Sequence, residues 1–258
     1  MPPEHLHHER RGSGPRLVLV HGFTQTGASM RKLASRLDDA FEVVTVDLPF
    51  HGAAPLPVSS LEEAAELLGA TTGRAAYLGY SLGGRLCLTL ALAHPELVEA
   101  LVVVGATAGL KSEEERRERR AADEVLARRL EGDGGIGESE RLEVFLADWL
   151  AGPLFAHLDA EQADLAARRA NSAAGLASAL RFLGTGSQQP SHDRLGELTM
   201  PVLLLAGARD EKFSAIADEM RAAIGDNATR RLIEDAGHAA PFERPDEVAA
   251  EVRRFLAP

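Results

Sequence analysis

The stretch AAYLGYSLGGRLCLTLAL, residues 75–92, is the part of the sequence around which the fold is organised. It opens as a short apolar run, passes through GYSLG at 79–83 and continues with the apolar spacing of a helix. Two glycines around a serine at such a junction predict a strained strand-to-helix turn that exposes the serine hydroxyl. We therefore predict that Ser81 is a nucleophile or a base. The Leu82 N–H, at the free end of the helix, is predicted to stabilise developing negative charge.

The composition of the chain restricts the classes of function. With 258 residues and 45% hydrophobic content, it can bury the core of one large domain or of one domain with an insertion. A formal charge of -11 would repel nucleic acid and anionic membranes, so neither is an expected partner. No apolar run approaches the roughly 18 residues that a membrane helix needs, which favours a soluble cytoplasmic protein. The single cysteine, Cys87, excludes an internal disulfide and is expected in the core.

No cofactor signature stands out in the sequence. His5, His7 and His8 form a cluster, but no carboxylate or cysteine follows at ligand spacing, so a polar edge strand is expected there. The glycine-rich segment 132–137 lacks both a preceding strand and a following Lys-Ser/Thr, which argues against a phosphate loop. We predict neither a metal nor a cofactor, and the sequence does not specify an oligomeric state.

Apolar runs of two kinds alternate along much of the chain. Compact runs rich in Val and Leu predict buried strands at residues 16–20, 41–46, 75–79, 101–104, 201–206 and 230–233. Helical apolar spacing is found at residues 27–37, 61–68, 82–93 and 245–256. Strands that alternate with helices form parallel sheets, and uniformly apolar strands are buried on both faces. We predict an α/β fold with a mostly parallel, doubly wound sheet.

The composition changes abruptly after Gly109, because Glu, Arg and Ala dominate residues 111–129. Helices without intervening strands are expected in this part of the chain at 111–129, 141–150 and 160–183. An inserted helical cap would account for the change. We predict a core formed by residues 1–109 and 195–258 and a cap formed by residues 110–194.

Polar residues follow the last two predicted strands of the core. Asp210 comes shortly after the strand at 201–206, and His238 follows the strand at 230–233. In open α/β sheets the working residues lie beyond the carboxyl ends of strands, where Ser81 also lies. Serine needs an imidazole to take its proton, and the imidazole needs a carboxylate to fix its tautomer. We predict Ser81, Asp210 and His238 as a catalytic triad.

Other residues fit these roles less well. His21 follows the first buried strand and is expected to shape its loop, in which the Phe23 N–H offers a second donor to an oxyanion. Asp47 is expected to anchor its own loop, and Asp235 precedes the Gly-His turn too closely to face it. Three further histidines lack that turn near the C-terminus: His51, His94 and His192.

Seven stretches of sequence carry a resemblance to known proteins. HGFTQTG at 21–27 and GYSLGGR at 79–85 are shared by a vast superfamily and say little about substrate. GHAAPFERP at 237–245 also matches. The more specific stretches are ERRERRAADEVLA at 115–127, WLAGPLF at 149–155, RRANSAAGLASALRFLGTGSQQP at 168–190 and GARDEKF at 207–213. Over nearly its whole length the chain resembles the MenH-type α/β-hydrolases, lyases of menaquinone biosynthesis.

The resemblance implies an α/β-hydrolase fold and an elimination reaction. Pyruvate would be lost from 2-succinyl-5-enolpyruvyl-6-hydroxy-3-cyclohexene-1-carboxylate to give 2-succinyl-6-hydroxy-2,4-cyclohexadiene-1-carboxylate, with the triad serine removing a carbon-bound proton. Carried over by position, the family's catalytic groups are Ser81, Asp210, His238 and the backbone N–H groups of Phe23 and Leu82. Its substrate-contacting side chains are Tyr80, Arg85, Arg119, Trp149 and Arg168. A small polycarboxylate substrate fits this set, because arginine binds carboxylates bidentately.

Two details of this correspondence stay open. Neighbouring arginines leave the register uncertain, so that Arg120 competes with Arg119 and Arg169 with Arg168, although Arg119, four residues before Asp123, fits best. Phe50 stands where the family's loop has glycine, which predicts a different backbone shape for that loop.

Two other functions use the same features. A serine hydrolase of esters, lactones or carbon-carbon bonds in diketones would need the same triad, but not three pocket arginines. A non-catalytic ligand-binding protein on this fold would not need the triad, so we rank it last.

Overall fold

The computed structural model describes residues 5–53, 57–132 and 135–257, and its centre is a seven-stranded sheet. The strands are β1 His8–Arg11, β2 Arg16–Val20, β3 Glu42–Val46, β4 Ala75–Tyr80, β5 Val98–Val104, β6 Val202–Gly207 and β7 Ala228–Ile233. They lie in the order β1-β3-β2-β4-β5-β6-β7. Only β1 is antiparallel to its neighbour, and the other five pairings are parallel.

The central strands are buried on both faces of the sheet. Every residue of β4 and of β6 is buried, as expected when helices cover both sides. One apolar cluster includes Val18 and Tyr77, and a second includes Leu17 and Leu78, which neighbour them in sequence. Because side chains alternate along a strand, the two clusters lie on opposite faces. The predicted α/β class with a mostly parallel, doubly wound sheet is confirmed.

Ten α-helices are described, four of them in the inserted segment. They are α1 Arg31–Ala34, α2 Leu61–Thr72, α3 Leu82–Ala93, α4 Glu113–Glu131, α5 Glu138–Leu150, α6 Leu165–Arg168, α7 Ala173–Leu183, α8 Glu211–Ile224, α9 Ala240–Glu243 and α10 Pro245–Leu256. Short 3-10 turns occupy Gly27–Met30, Pro95–Leu97, Pro153–Phe155 and His192–Glu197. No helix within the described ranges combines the length and the hydropathy that crossing a bilayer requires.

Helices α4 to α7, which we call the cap, share an apolar cluster of their own that contains Ala127, Leu146 and Leu176. The core sheet is interrupted from Val104, where β5 ends, to Val202, where β6 begins. The exact division into a core of residues 1–109 and 195–258 and a cap of 110–194 stays a prediction. Residues 1–4, 54–56 and 258 of that predicted core, and 133–134 of that predicted cap, lie outside the described residues.

Candidate active site

Ser81 lies at the sharp turn between β4 and α3, with a positive φ of 52°. A Cβ on Gly79 would lie 2.3 Å from the Gly83 carbonyl oxygen, and one on Gly83 would lie 2.3 Å from the Val20 carbonyl oxygen. Both distances are far below van der Waals contact, so only glycine fits at either position. The two glycines therefore permit the close backbone packing that raises the serine above the edge of the sheet.

His238 links a carboxylate to the serine. Its Nδ1 lies 2.9 Å from Asp210 Oδ2, and its Nε2 lies 3.4 Å from Ser81 Oγ. The other carboxylate oxygen, Asp210 Oδ1, accepts the Phe213 N–H at 3.1 Å, which fixes the carboxylate at the start of α8. His238 is only 4% exposed. In this geometry the imidazole can take the hydroxyl proton while the carboxylate stabilises the resulting cation.

The loop after β2 is fixed by a buried neutral histidine. His21 Nε2 accepts the Leu48 N–H at 3.0 Å, which leaves Nδ1 to donate to the Gly22 carbonyl oxygen 2.7 Å away. Burial lowers the pKa of His21 to about 4, so the ring carries no charge at neutral pH. This arrangement agrees with the expected loop-shaping role of His21. Asp47 likewise anchors its neighbourhood, since it accepts the N–H groups of Gly27 and Ala53.

The backbone N–H groups of Phe23 and Leu82 have no acceptor among the residues described. Both residues line the same cavity as Ser81. An amide without a partner beside a reactive hydroxyl can stabilise an oxyanion, provided that the substrate presents one there. The two residues predicted from the sequence as oxyanion donors therefore line the same cavity as the triad serine and histidine.

A cavity of about 460 Å³ opens above Ser81 between the sheet and the cap. Its cationic side chains are Arg85, Arg119 and Lys212. Its remaining lining residues are Phe23, Ser81, Leu82, Trp149, Pro153, Leu154, Ala179, Leu180, Leu183, Gly184, Thr185, Phe213 and His238. The Trp149 Nε1 is buried and has no partner among the described groups, so it offers a further hydrogen-bond donor. None of the described residues that line the cavity carries a carboxylate, so this lining suits an anion.

Arg85 is a buried cation held by neutral groups. It is 7% exposed and donates to Gln188 Oε1 at 3.0 Å and to the Leu183 carbonyl oxygen at 2.7 Å. Burial, followed by the charge of Arg119, lowers the pKa of Arg85 to about 10. The guanidinium therefore stays charged at neutral pH. A buried charge without an ionic hydrogen-bond partner is costly, and an anionic ligand would offset that cost.

Arg119 lines the cavity, whereas its neighbour Arg120 points elsewhere. Arg119 Nε donates to Asp123 Oδ1 at 2.8 Å. Arg120 donates to the Gly186 carbonyl oxygen and pairs with Glu113, and it is absent from the cavity lining. Of these two arginines, the geometry therefore favours Arg119 as a substrate contact.

Arg168 and Tyr80 lie buried beside the cavity and are not among its lining residues. Arg168 is 1% exposed and donates to the Ala163 carbonyl oxygen at 2.7 Å and to Thr24 Oγ1. Arg169 is instead paired with Glu143 on the surface of the cap. The predicted substrate contacts of Arg168 and Tyr80 stay predictions, and in this structure the two side chains support the residues around them.

Tyr80 packs against the triad. Its ring centroid lies 5.5 Å from that of His238 and 5.4 Å from that of Phe242. Burial raises the pKa of its phenol above the ordinary range, so the hydroxyl stays protonated. The ring thus forms part of the apolar surroundings of the imidazole.

Comparison with known proteins agrees with this geometry. Residues 15–245 match the family model described as alpha/beta hydrolase fold. The 2-succinyl-6-hydroxy-2,4-cyclohexadiene-1-carboxylate synthase of Enterobacter sp. (strain 638) is 32% identical over 250 residues, covering 94% of this chain and 92% of its own. The enzyme of the same name from Salmonella newport (strain SL254) is 33% identical, with 94% of each chain covered.

A solved structure gives the same result. MenH from S. aureus superposes with a TM-score of 0.87 at 29% identity, covering 98% of this chain and 97% of that one. The chain belongs to the MenH-type α/β-hydrolases. The family assignment made from the sequence is thereby confirmed.

Phe50 occupies the position at which a glycine was expected in a MenH-type chain. Its φ is 68°, which lies in the left-handed region that glycine favours. Its ring stacks on Phe182 of α7, with centroids 5.9 Å apart and an angle of 24° between the planes. Phe50 therefore has a φ that a glycine would also adopt, so this angle gives no sign of the different backbone shape expected for the loop. The phenylalanine ring adds a contact with the cap.

Sequence reasoning missed Glu243, which braces the turn that carries His238. Glu243 is 7% exposed, and its Oε2 accepts the Gly237 N–H at 2.7 Å while its Oε1 accepts the Ala239 N–H at 3.0 Å. One carboxylate thus holds the two amides that flank the histidine. The available signal was a single acidic residue within the otherwise apolar run HAAPFE, residues 238–243.

Proposed function

We propose that this MenH-type chain is the lyase that eliminates pyruvate from 2-succinyl-5-enolpyruvyl-6-hydroxy-3-cyclohexene-1-carboxylate, forming 2-succinyl-6-hydroxy-2,4-cyclohexadiene-1-carboxylate. The observation that carries the proposal is the combination of Ser81 and His238 with Arg85 and Arg119 around one cavity. The names of the enterobacterial relatives support the same reaction. The product belongs to menaquinone biosynthesis.

In this proposal Ser81 acts as a base. The substrate proton at ring carbon 2 is acidic, because it neighbours both the succinyl ketone and the ring double bond. Ser81 Oγ removes that proton while its own proton passes to His238, whose cation Asp210 stabilises. The electron pair left at carbon 2 is delocalised onto the ketone oxygen, which the N–H groups of Phe23 and Leu82 would stabilise.

The elimination then completes across the ring. The electron pair forms a double bond from carbon 2 to carbon 3, the ring double bond shifts to carbons 4 and 5, and the bond from carbon 5 to the enolpyruvyl oxygen breaks. The departing enolate takes a proton and becomes pyruvate. No acyl-enzyme forms, because the serine oxygen attacks hydrogen and not a carbonyl carbon. His238 is suited to return the proton to the departing group.

The charges of the cavity suit this substrate, which carries three carboxylates. A protein with a net charge of -11 repels such an anion at long range, so binding requires local cations. Arg85 is held by neutral groups alone, and Arg119 retains both Nη nitrogens without an acceptor among the described residues. Each can therefore receive a carboxylate. The reactants are small and polar, consistent with the cytoplasmic location predicted from the sequence.

The first test is release of pyruvate from purified protein given the enolpyruvyl substrate, together with the ultraviolet absorbance of the diene product. We expect fast release in the wild type and a loss of roughly a thousandfold or more in kcat for Ser81→Ala, since the base is removed. Ser35→Ala is the matched control, because the Ser35 hydroxyl bonds only the Lys32 carbonyl on an exposed helix end. Its kcat should equal that of the wild type.

A panel of simple esters and diketones distinguishes the lyase from a hydrolase. Negligible cleavage of these compounds beside fast pyruvate release supports the lyase. Absence of pyruvate release from the wild type, with turnover of an ester or diketone that Ser81→Ala abolishes, would overturn the proposal in favour of hydrolysis.

A further inference from the structure

Asp123, on the inner side of α4, is a buried carboxylate that the proposed mechanism does not use. It is 2% exposed, and its Oδ1 accepts the Arg119 Nε–H at 2.8 Å. Its Oδ2 is buried without a hydrogen-bond partner among the described residues. Burial raises the pKa of this carboxyl, and the charges of Arg119 and Arg85 oppose that rise without cancelling it. A buried carboxylate oxygen without a partner lowers stability, so its presence calls for another explanation.

Asp123 fits behind the cavity wall because the wall residue next to its carboxylate, Gly184, has no side chain. Gly184 lines the cavity, and a Cβ built on it would lie 2.6 Å from Asp123 Oδ2. It would also lie 2.2 Å from the Leu180 carbonyl oxygen. Any side chain at position 184 would therefore displace the carboxylate or the backbone of α7. Asp123 is thus confined directly behind the lining of the cavity.

Arg119 is attached through one nitrogen only. Its Nε donates to Asp123, whereas neither Nη1 nor Nη2 has an acceptor in the described part of the chain. The side chain is 42% exposed, and within the described ranges this is the one hydrogen bond that its guanidinium makes. Bonding through Nε leaves the outer edge, with two parallel N–H groups, available for bidentate contact with a carboxylate.

We propose that Asp123 is a positioning residue that holds the Arg119 guanidinium through Nε and thereby presents its two Nη groups to a substrate carboxylate in the cavity. This inference rests on the proposed function, because it assumes that an anionic substrate occupies the cavity. Without the carboxylate, Arg119 would lose conformational order, and binding would have to restore it. Asp123 itself does not touch the substrate.

The charge of Asp123 alone predicts the opposite effect. A carboxylate near the cavity repels an anionic substrate, so its removal would tighten binding if Asp123 acted only through its charge. A positioning role predicts weaker binding after removal. The sign of the change in KM therefore separates the two roles, and a role in stability alone would leave KM unchanged.

The test compares Asp123→Ala and Asp123→Asn in the pyruvate-release assay. We expect KM to rise about tenfold in Asp123→Ala with kcat changed by less than about threefold, because ground-state and transition-state binding are lost together. Asparagine keeps an oxygen that accepts the Nε–H, so its KM should lie between those of the wild type and the alanine variant. Glu118→Gln is the matched control, since Glu118 lies on the same helix, five residues before Asp123, and its side chain is exposed. Its KM should stay at the wild-type value.

Two further measurements show that the effect passes through Arg119. In an Arg119→Ala background, Asp123→Ala should add no further rise in KM, because coupled residues are not additive. Isothermal titration with succinate should give a Kd about tenfold higher for Asp123→Ala than for the wild type, because the Arg119 guanidinium is no longer held in place for a carboxylate. Succinate carries two carboxylates and does not require turnover.

The titration also separates failure of this inference from failure of the proposed function. If the wild type releases no pyruvate but succinate binding weakens in Asp123→Ala, the lyase assignment falls and the positioning role stands. If the wild type releases pyruvate but KM is unchanged or lower in Asp123→Ala, the positioning role is overturned. It is also overturned if the wild type binds no succinate and releases no pyruvate, or if the double variant shows additive losses.

Discussion

At the scale of single residues, the position of His238 depends on a carboxylate that takes no part in the proposed chemistry. In Glu243→Gln, one oxygen remains as an acceptor, but the amide NH₂ faces an N–H donor and leaves it unpaired. We expect kcat for pyruvate release to fall about tenfold with little change in KM, since misplacing a catalytic group affects the chemical step. Unfolding by urea should show a loss of about 1–3 kcal/mol, the usual cost of an unsatisfied buried amide.

Glu247→Gln provides the matched control for this prediction. Glu247 lies four residues further on, in the first turn of α10, and is exposed. Its replacement should leave kcat unchanged. Equal kcat values for Glu243→Gln and the wild type would show that the turn is rigid without the carboxylate.

The sequence identifies the triad residues more readily than the groups that hold them. Ser81, Asp210 and His238 each follow a strand of a parallel sheet, and the carboxyl ends of such strands meet at one edge. Their hydrogen-bond distances agree with that expectation, while their catalytic roles remain part of the proposal. Glu243 bonds to two backbone amides, a kind of partner that sequence spacing does not reveal. The spacing of Arg119 and Asp123 allowed their pairing, but the burial of Asp123 behind the cavity required the structure.

At the scale of elements, the cap is joined across its helices by Arg181 of α7. This arginine donates to Glu124 at 2.7 Å and pairs with Glu131, both on α4. Hydrogen bonds from Arg181 and then from Arg128 lower the pKa of Glu124 to about 2. A carboxylate whose pKa is lowered in the folded state contributes stability above its unfolded pKa of 4.5 and loses it as the pH falls towards 2. The cap should therefore loosen in acid.

The variant Arg181→Gln tests this origin of acid sensitivity. Trp149, on α5, is the chain's only tryptophan and reports on the cap through its fluorescence during urea unfolding. We expect Arg181→Gln to unfold at lower urea concentration than the wild type at pH 7, and the difference to vanish as the pH approaches 2. Arg117→Gln, which removes only a 3.9 Å contact with Glu114 on the exposed side of α4, should show no such difference. A difference that persists at pH 2 would contradict the assignment to Glu124.

Two helices predicted from apolar spacing are shorter than predicted or interrupted, because residues distant in sequence form hydrogen bonds with them. The predicted helix over 27–37 starts as a 3-10 turn, where Asp47 Oδ1 accepts the Gly27 N–H. The predicted helix over 160–183 is interrupted at Asn171, whose amide donates to the Thr24 carbonyl oxygen and whose Oδ1 accepts the Gly52 N–H. These partners are distant in sequence, so helical periodicity could not reveal the breaks.

At the scale of the whole molecule, the alternation of strands and helices specifies the sheet, but the cavity is assembled from residues far apart. Gln188, 103 positions after Arg85, holds that arginine from the far end of the cap segment. The family resemblance predicted Arg85 and Arg119 as substrate contacts. Their hydrogen-bond partners became visible only in the structure. Lys212 also lines the cavity, although no role for it was predicted from the sequence.

Two buried histidines near β2 and β3 connect the stability of the entire fold to pH. The rings of His21 and His51 lie 5.2 Å apart, and both side chains are at most 1% exposed. Burial, followed by the charge of the neighbouring His21, lowers the pKa of His51 to about 3. Both rings are therefore neutral in the folded protein well below pH 6.5, where the unfolded chain already binds protons. Their stabilising contribution is complete above pH 6.5 and is lost as the pH falls towards 4 and 3.

The free energy of unfolding should consequently decrease between pH 7 and pH 5, with about 2 kcal/mol of the loss due to each buried histidine. In His51→Asn the side-chain amide can still donate to the Pro49 carbonyl, as the ring Nδ1 does at 2.9 Å, but it cannot take up a proton. Urea unfolding should show a smaller loss for this variant than for the wild type. His94→Asn is the control, because the hydrogen bond to Glu66 raises the pKa of that partly exposed ring. Its removal therefore cannot reduce the acid-induced loss of unfolding free energy. An unchanged loss in His51→Asn would mean that other groups cause the acid sensitivity.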